Sequence, residues 1–245
     1  MSDLYIQFTN YVHNIIKNKN IDNFKSNNNV TYMLEHVSFE QGQSYLQYIK
    51  DICNTFTEDD IIRYCKENDK YGGGVKYDFG FIVTSPSNFR YILHAHLILT
   101  HMKSNNMNDV NIVEVGCGYG GLCLAIHSFS KLYNINILCY NLIDLPDISN
   151  LQKMYLSNFN MNDLTYHSSY EYGANITNDN LFLISNYCFS EISDYHQKQY
   201  IKTLFPKVIH GFMAWNCIPV YDFGCKCKVE DEYPLTGPNN KYLFF

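Results

Sequence analysis

Of the 245 residues, 46% are hydrophobic and 17% are charged. This is enough for one domain of about 150–200 residues plus an extension, and it excludes a peptide, a disordered tail and a collagen-like fibre. Eighteen Lys and Arg against 24 Asp and Glu give a formal charge of −6; with the basic residues scattered, the sequence predicts no nucleic-acid partner and favours a small or neutral ligand. No run reaches the roughly 18 uninterrupted apolar residues of a membrane span, and residues 1–10 carry no basic segment followed by an apolar block. The expectation is a soluble, unexported protein with no membrane partner. Nine cysteines, spread singly through predicted elements, point to free thiols in a reducing, cytoplasmic compartment.

Residues 1–105 are predicted to be mostly helical. Leu4, Tyr5, Phe8, Val12, Ile15 and Ile16 recur at three- and four-residue spacing, which predicts an amphipathic helix ending before an Asn-rich loop over 18–29. A second helix is predicted over 44–55. A third, capped by Thr57 with Asp60 three residues on, runs through Glu67. Gly72-Gly-Gly74 breaks the pattern, and Ser85-Pro86 offers a cap and a first-turn proline for a helix reaching about Met102.

From Asn111 the period changes. A strand over 111–115, a glycine turn over 116–121 and a helix over 122–133 form a β-turn-α unit. The alternation continues with strand 135–143, helix 147–158, strands 164–167 and 180–185, helix 193–205 and strand 208–215. Repeated βα units predict a parallel sheet covered by helices. Strands near 226–230 and over 241–245, joined by a turn at Thr236-Gly-Pro-Asn-Asn240, add an antiparallel hairpin. The sequence thus divides into a helical substrate region over 1–105 and a cofactor-binding domain over 106–245.

The glycine turn, Glu114-Val-Gly-Cys-Gly-Tyr-Gly-Gly121, is the strongest signal. At a strand-to-helix junction, glycines take positive φ and let backbone N–H groups approach a ligand at the helix N-terminus. Gly116, Gly118 and Gly121 satisfy a dinucleotide fingerprint, while Glu114, Gly116, Gly118 and Gly120 satisfy the loop that binds S-adenosyl-L-methionine (SAM). Asp144, at the end of the next strand, is placed to accept ribose hydroxyls in either case. Glu114 decides for SAM, because a carboxylate there repels a pyrophosphate and suits an ammonium and a sulfonium.

The chain resembles the sugar O-methyltransferases within the class I SAM-dependent methyltransferases. The resemblance rests on Ile112-Val-Glu-Val-Gly-Cys-Gly-Tyr-Gly-Gly-Leu122, Ile143-Asp-Leu-Pro-Asp147 followed by Leu151-Gln-Lys-Met-Tyr-Leu156, Ile184-Ser-Asn-Tyr-Cys-Phe-Ser-Glu191 and Ser85-Pro-Ser-Asn-Phe-Arg90, and covers about residues 70–220. It implies an α/β fold, a Rossmann-like seven-stranded methyltransferase sheet with an N-terminal helical extension. It also implies methyl transfer to a sugar hydroxyl in glycan biosynthesis, the acceptor being a sugar nucleotide or glycan, with an aminodeoxy hexose as one candidate.

The cofactor set expected is Glu114, Gly116, Gly118, Tyr119, Gly120, Asp144, Leu145, Asn186, Arg90, His167 and Ser168, the last two where such folds contact adenine. Catalysis falls to Glu191 as general base, its pKa raised beside aromatic residues, with His94 competing for the role. Arg90 and His94, four residues apart, share a helix face and suit an acidic group, either the SAM carboxylate or a sugar-nucleotide phosphate. His94 and His96 diverge, and Cys225-x-Cys227 lacks a second pair, so no metal is predicted. Two other readings stay open, a NAD-dependent sugar oxidoreductase and a non-catalytic binding subunit. Oligomeric state is not legible.

Overall fold

The computed structural model describes residues 3–245. Five helices lead: α1 (Asp3–Asn18), α2 (Asn28–Met33), α3 (Phe39–Ile52), α4 (Glu58–Asn68) and α5 (Ser87–Ser104), with a small hairpin, β1 (Tyr77–Asp78) and β2 (Val83–Thr84), between the last two. The sheet domain follows as β3 (Asp109–Val115), α6 (Gly121–Ser130), β4 (Asn136–Asp144), α7 (Pro146–Leu156), β5 (Leu164–Ser168), β6 (Leu181–Asn186), α8 (Asp194–Thr203), β7 (Val208–Trp215), β8 (Lys228–Asp231) and β9 (Lys241–Phe244).

Local chemistry explains most boundaries. Ser38 with Gln41 and Thr57 with Asp60 form capping boxes that start α3 and α4, each satisfying two end N–H groups. The Ser38 box moves α3 about five residues ahead of the sequence expectation, which followed the apolar period and missed the cap. The Asn-rich segment is not wholly loop. Asn27 accepts from Asn29 N and starts the short α2, because an Asn side chain that competes with the backbone in a helix interior serves it at the N-cap.

The seven large strands lie in the order β5-β4-β3-β6-β7-β9-β8. The first five are parallel, and β9 runs antiparallel between β7 and β8. This is the Rossmann-like seven-stranded sheet that the sequence implied, hairpin included. Alternation along the strands sends Ile112, Tyr140, Leu142, Phe182 and Ile184 into one core with α1 and α3–α7. Val113, Val115, Ile143, Leu183 and Met213 enter a second core with Tyr200 and Leu204 on the α8 side. The first core continues without a break from Phe8 in α1 to Tyr242 in β9.

Candidate functional site

At the carboxyl end of β3 the chain turns through Gly116, Gly118 and Gly120, at φ of +77°, +56° and +98°. Glycine takes these values without the Cβ clash that costs other residues about 1–2 kcal/mol. Asp144, closing the neighbouring β4, braces the turn. Its Oδ2 accepts from Cys117 N at 2.8 Å and from Gln152 Nε2 at 3.0 Å, and its Oδ1 accepts from Leu145 N at 2.9 Å. Gln152 also donates to the Gly118 carbonyl at 2.9 Å, so one α7 side chain ties carboxylate and turn together. Burial pushes the Asp144 carboxyl up to about 7 against the pull of these donors, Leu145 first. The register sets Asp144 beside Ser168 and Ile143 beside His167. Ser168 Oγ accepts from Tyr170 N, and His167 Nε2 meets Asn141 Oδ1 at 3.0 Å. The expected cofactor residues at the ends of β3, β4 and β5 therefore meet at one edge.

Two members of that set point elsewhere. Glu114 is 2% exposed, on the sheet face covered by the helices, where its Oε2 accepts from Tyr140 Oη at 2.7 Å. Burial pushes its carboxyl up to about 8, only partly offset by Tyr140. Glu114 is thus a largely protonated group beneath the turn, and the argument that its charge selects a cationic ligand does not hold for this geometry. Tyr119 turns its buried side chain into the helical region, donating to Glu35 Oε1 at 2.7 Å and packing edge-on against Phe24 and Tyr155. Sequence gave no warning of either, because strand alternation tells which face a residue occupies but not what covers it.

The N-terminal region lies directly on this edge. A Cβ on Gly118 would sit 3.1 Å from the Leu34 side chain, and α1 packs on α7 with His13 Nδ1 3.2 Å from Asp147 Oδ2. Burial first, then the charges of Asp144 and Cys188, push the Tyr5 phenol up. Lys25, 1% exposed, lies over the rings of Tyr119 and Tyr155 at 4.5 and 4.7 Å and donates to the Asn68 carbonyl at 2.6 Å.

Beyond the turn, α5 and the end of β6 gather a second polar group. His94 is fully buried, its Nδ1 2.9 Å from Asn186 Nδ2 and its Nε2 3.4 Å from Tyr242 Oη. Burial and then the Arg90 charge drive its pKa well below the ordinary histidine value, so it is neutral. Asn186 Oδ1 is buried without a partner. The Tyr187 backbone takes φ of +53°, an unusual value for a bulky residue and one that clusters at functional sites. Its hydroxyl donates to Glu232, a buried carboxylate that also accepts from Thr236 N and Asn240 Nδ2 at 2.9 Å each. Glu232 and Gln152 were absent from the sequence expectation. Gln152 was findable as a polar residue two helical turns after Asp144, whereas Glu232 depends on how the terminal hairpin folds back.

Arg90 and His94 share a helix face as the spacing required, yet they take different partners. Arg90 bonds to His36 and to the Leu34 carbonyl, while the Tyr187 ring lies 5.8 Å from the Arg90 guanidinium and 6.0 Å from the His94 imidazole. Glu191 stands apart from this group. It is exposed in the turn before α8 and accepts from Asn216 at the end of β7; partial burial raises its pKa. His96 faces away, onto Tyr133. Among the described residues no group of three or more His, Cys, Asp and Glu side chains is arranged to hold a metal.

No family model and no curated protein matches the chain. Solved structures do. One is an rRNA methylase from Streptococcus thermophilus, 8% identical over 61% of this chain and 93% of that one, with a TM-score of 0.45. Another is a SAM-bound amino pentose methyltransferase of calicheamicin biosynthesis from Micromonospora echinaspora, 10% identical over 57% of each chain, TM-score 0.42. A third is a SAM-dependent methyltransferase from Clostridium acetobutylicum, 15% identical over 50% of this chain and 49% of that one, TM-score 0.38. The strand order, five parallel strands with an antiparallel one in the penultimate position, makes the sheet Rossmann-like.

Proposed function

We propose that the protein is a SAM-dependent O-methyltransferase acting on a sugar hydroxyl. The observation that carries the reading is the left-handed glycine turn facing Asp144 at the carboxyl edge of a sheet in this strand order, where ligands of open α/β sheets bind. The residues present fit the cofactor: left-handed glycines without side chains at a helix start, a carboxylate beside them for ribose hydroxyls, and the partnerless Asn186 Oδ1 on the far side. When bound, SAM supplies an electrophilic methyl on a sulfonium.

The chain's own residues then have separable tasks. Gly116, Gly118 and Gly120 shape the turn so that a ligand can approach its backbone closely, with Gln152 fixing Asp144 against it. Leu145, Ser168 and His167 border the ribose and adenine end. Tyr187 and His94 line the acceptor side with hydrogen-bonding groups, as a polyhydroxylated substrate requires, and in-line transfer depends on their positioning. For the hydroxyl proton the candidates are Glu191, a carboxyl of raised pKa in the turn after β6 that stands apart from this lining, and His94, which burial and then Arg90 keep neutral and so free to accept. The sugar as acceptor rests on the sequence resemblance together with this polar lining.

The test is calorimetric titration with S-adenosylhomocysteine and, separately, NAD, for wild type and Asp144→Ala. Micromolar binding of the former, lost in the variant and absent for NAD, supports the reading. Selective NAD binding selects an oxidoreductase, and no binding of either leaves a non-catalytic scaffold.

A further inference from the structure

Arg90 is a buried cation with no anion. Its side chain sits on the first turns of α5, 5% exposed, at the edge where the glycine turn, the end of β6 and the N-terminal segment converge. One guanidinium nitrogen meets His36 Nε2 at 3.0 Å and another donates to the Leu34 carbonyl at 2.9 Å. The Tyr91 and Tyr187 rings lie at 5.7 and 5.8 Å. All of these groups are neutral, His36 included, since burial and then Arg90 itself push its pKa down to about 4. No carboxylate of the described residues makes an ion pair with Arg90. An acid whose charge acts on it, Glu35, is already held by the hydroxyls of Tyr119 at 2.7 Å and Ser85 at 3.0 Å.

A buried ion without a counter-ion is a costly arrangement, and a guanidinium has five donors in a planar fork matched to carboxylate and phosphate. Cation–π contact and two neutral acceptors satisfy the fork only in part. From this we infer that Arg90, with His36 and Tyr91 beside it, is the oxyanion-binding site of the active centre, taking a carboxylate or phosphate of a ligand. Two ligand parts carry that chemistry: an acidic group on the acceptor, such as a sugar phosphate, and the amino-acid carboxylate of the cofactor. The inference rests on the proposed methyltransferase reading for the identity of the ligand, but not for the existence of the site. His36 fixes the fork through its unprotonated Nε2, and Leu34, whose side chain covers Gly118, lends its carbonyl to the same arginine. Filling the anion site and seating the N-terminal segment on the glycine turn are therefore linked through Leu34.

The test uses the full chain as wild type, Arg90→Lys, which keeps the charge but not the fork, and Arg90→Met, which removes both. Melting temperature is followed against inorganic phosphate, with chloride at matched ionic strength as control. Affinities are measured for S-adenosylhomocysteine and for 5′-methylthioadenosine, which lacks the amino-acid carboxylate. A wild-type melting temperature that rises with phosphate while neither variant responds supports an acceptor-side anion. S-adenosylhomocysteine binding at least tenfold weaker in the variants, with 5′-methylthioadenosine unchanged, supports the cofactor carboxylate. Where phosphate raises no variant-sensitive melting response, affinities that stay at wild-type values, or that fall together for both nucleosides, overturn the site. If neither nucleoside binds wild type, the methyltransferase reading fails, and the phosphate arm alone still decides whether the oxyanion site exists.

Discussion

Replacing Glu114 with Gln tests whether its carboxyl is a buried structural group or a charge shown to a ligand. The native group titrates at about 8 against an ordinary value of 4.5. Between those limits the folded protein retains a proton that the unfolded chain releases. Stability from this group is therefore full below pH 4.5 and falls by about 1.4 kcal/mol per pH unit until the folded pKa is passed. Gln keeps the shape, can accept from Tyr140 through its carbonyl, and has no proton to lose. From about pH 5 to about pH 7.5, wild type should lose about 3 kcal/mol relative to Glu114→Gln. Asp144, also raised, tilts both proteins, and because its charge helps to hold the Glu114 carboxyl up, part of the difference reports the pair. Denaturant unfolding at the two pH values gives the numbers, and S-adenosylhomocysteine affinity should stay within about threefold. A stability difference that does not change with pH, accompanied by a tenfold loss of affinity, would refute the buried-group account and restore Glu114 as a ligand-facing charge.

Other perturbations separate the remaining roles. Glu191→Gln should lower turnover by ~100-fold or more with S-adenosylhomocysteine affinity retained; unchanged turnover removes Glu191 as base. Gly118→Ala forces a Cβ into a left-handed position and against Leu34, so unfolding should show a loss of about 1–2 kcal/mol, and a neutral result would mean the turn can relax. Lys25, lowered by burial to about 8 from 10.5, binds its proton less tightly when folded. Wild type should thus gain about 3 kcal/mol as pH rises from about 8 to 10.5, a slope that Lys25→Met should lack; equal slopes would place the lysine in solvent. Tyr187→Phe removes the bond to Glu232 and should raise KM for the acceptor more than it lowers kcat, with cofactor affinity unchanged.

The parts of this fold that were legible in the sequence are those written in local chemistry. The strand, glycine turn and helix at 111–130 declare themselves through residue type and period, as does the terminal hairpin through its turn. Asp144 was legible because its place follows from chain order alone. What stayed hidden are contacts between residues far apart in the chain, 45 or more positions in the cases that matter. Nothing near Tyr119 announces Glu35, nothing near Arg90 announces His36, and nothing near Tyr187 announces Glu232. The Asn-rich segment misled for a different reason: asparagine reads as loop, but at one position it caps a helix and brings Leu34 over the turn.

Phe24, Lys25, Tyr119 and Tyr155 form one aromatic group drawn from the N-terminal segment, the glycine turn and α7. With no seam in the core between the helices and the sheet, neither half has an interior of its own to retreat to. Heat or denaturant should therefore melt the chain in a single cooperative step seen alike by every probe. A fragment beginning near residue 106 would expose the apolar faces of Phe129, Tyr140 and Tyr155 and precipitate rather than bind. In this molecule the order of the ligand-binding edge is borrowed from the stability of the whole.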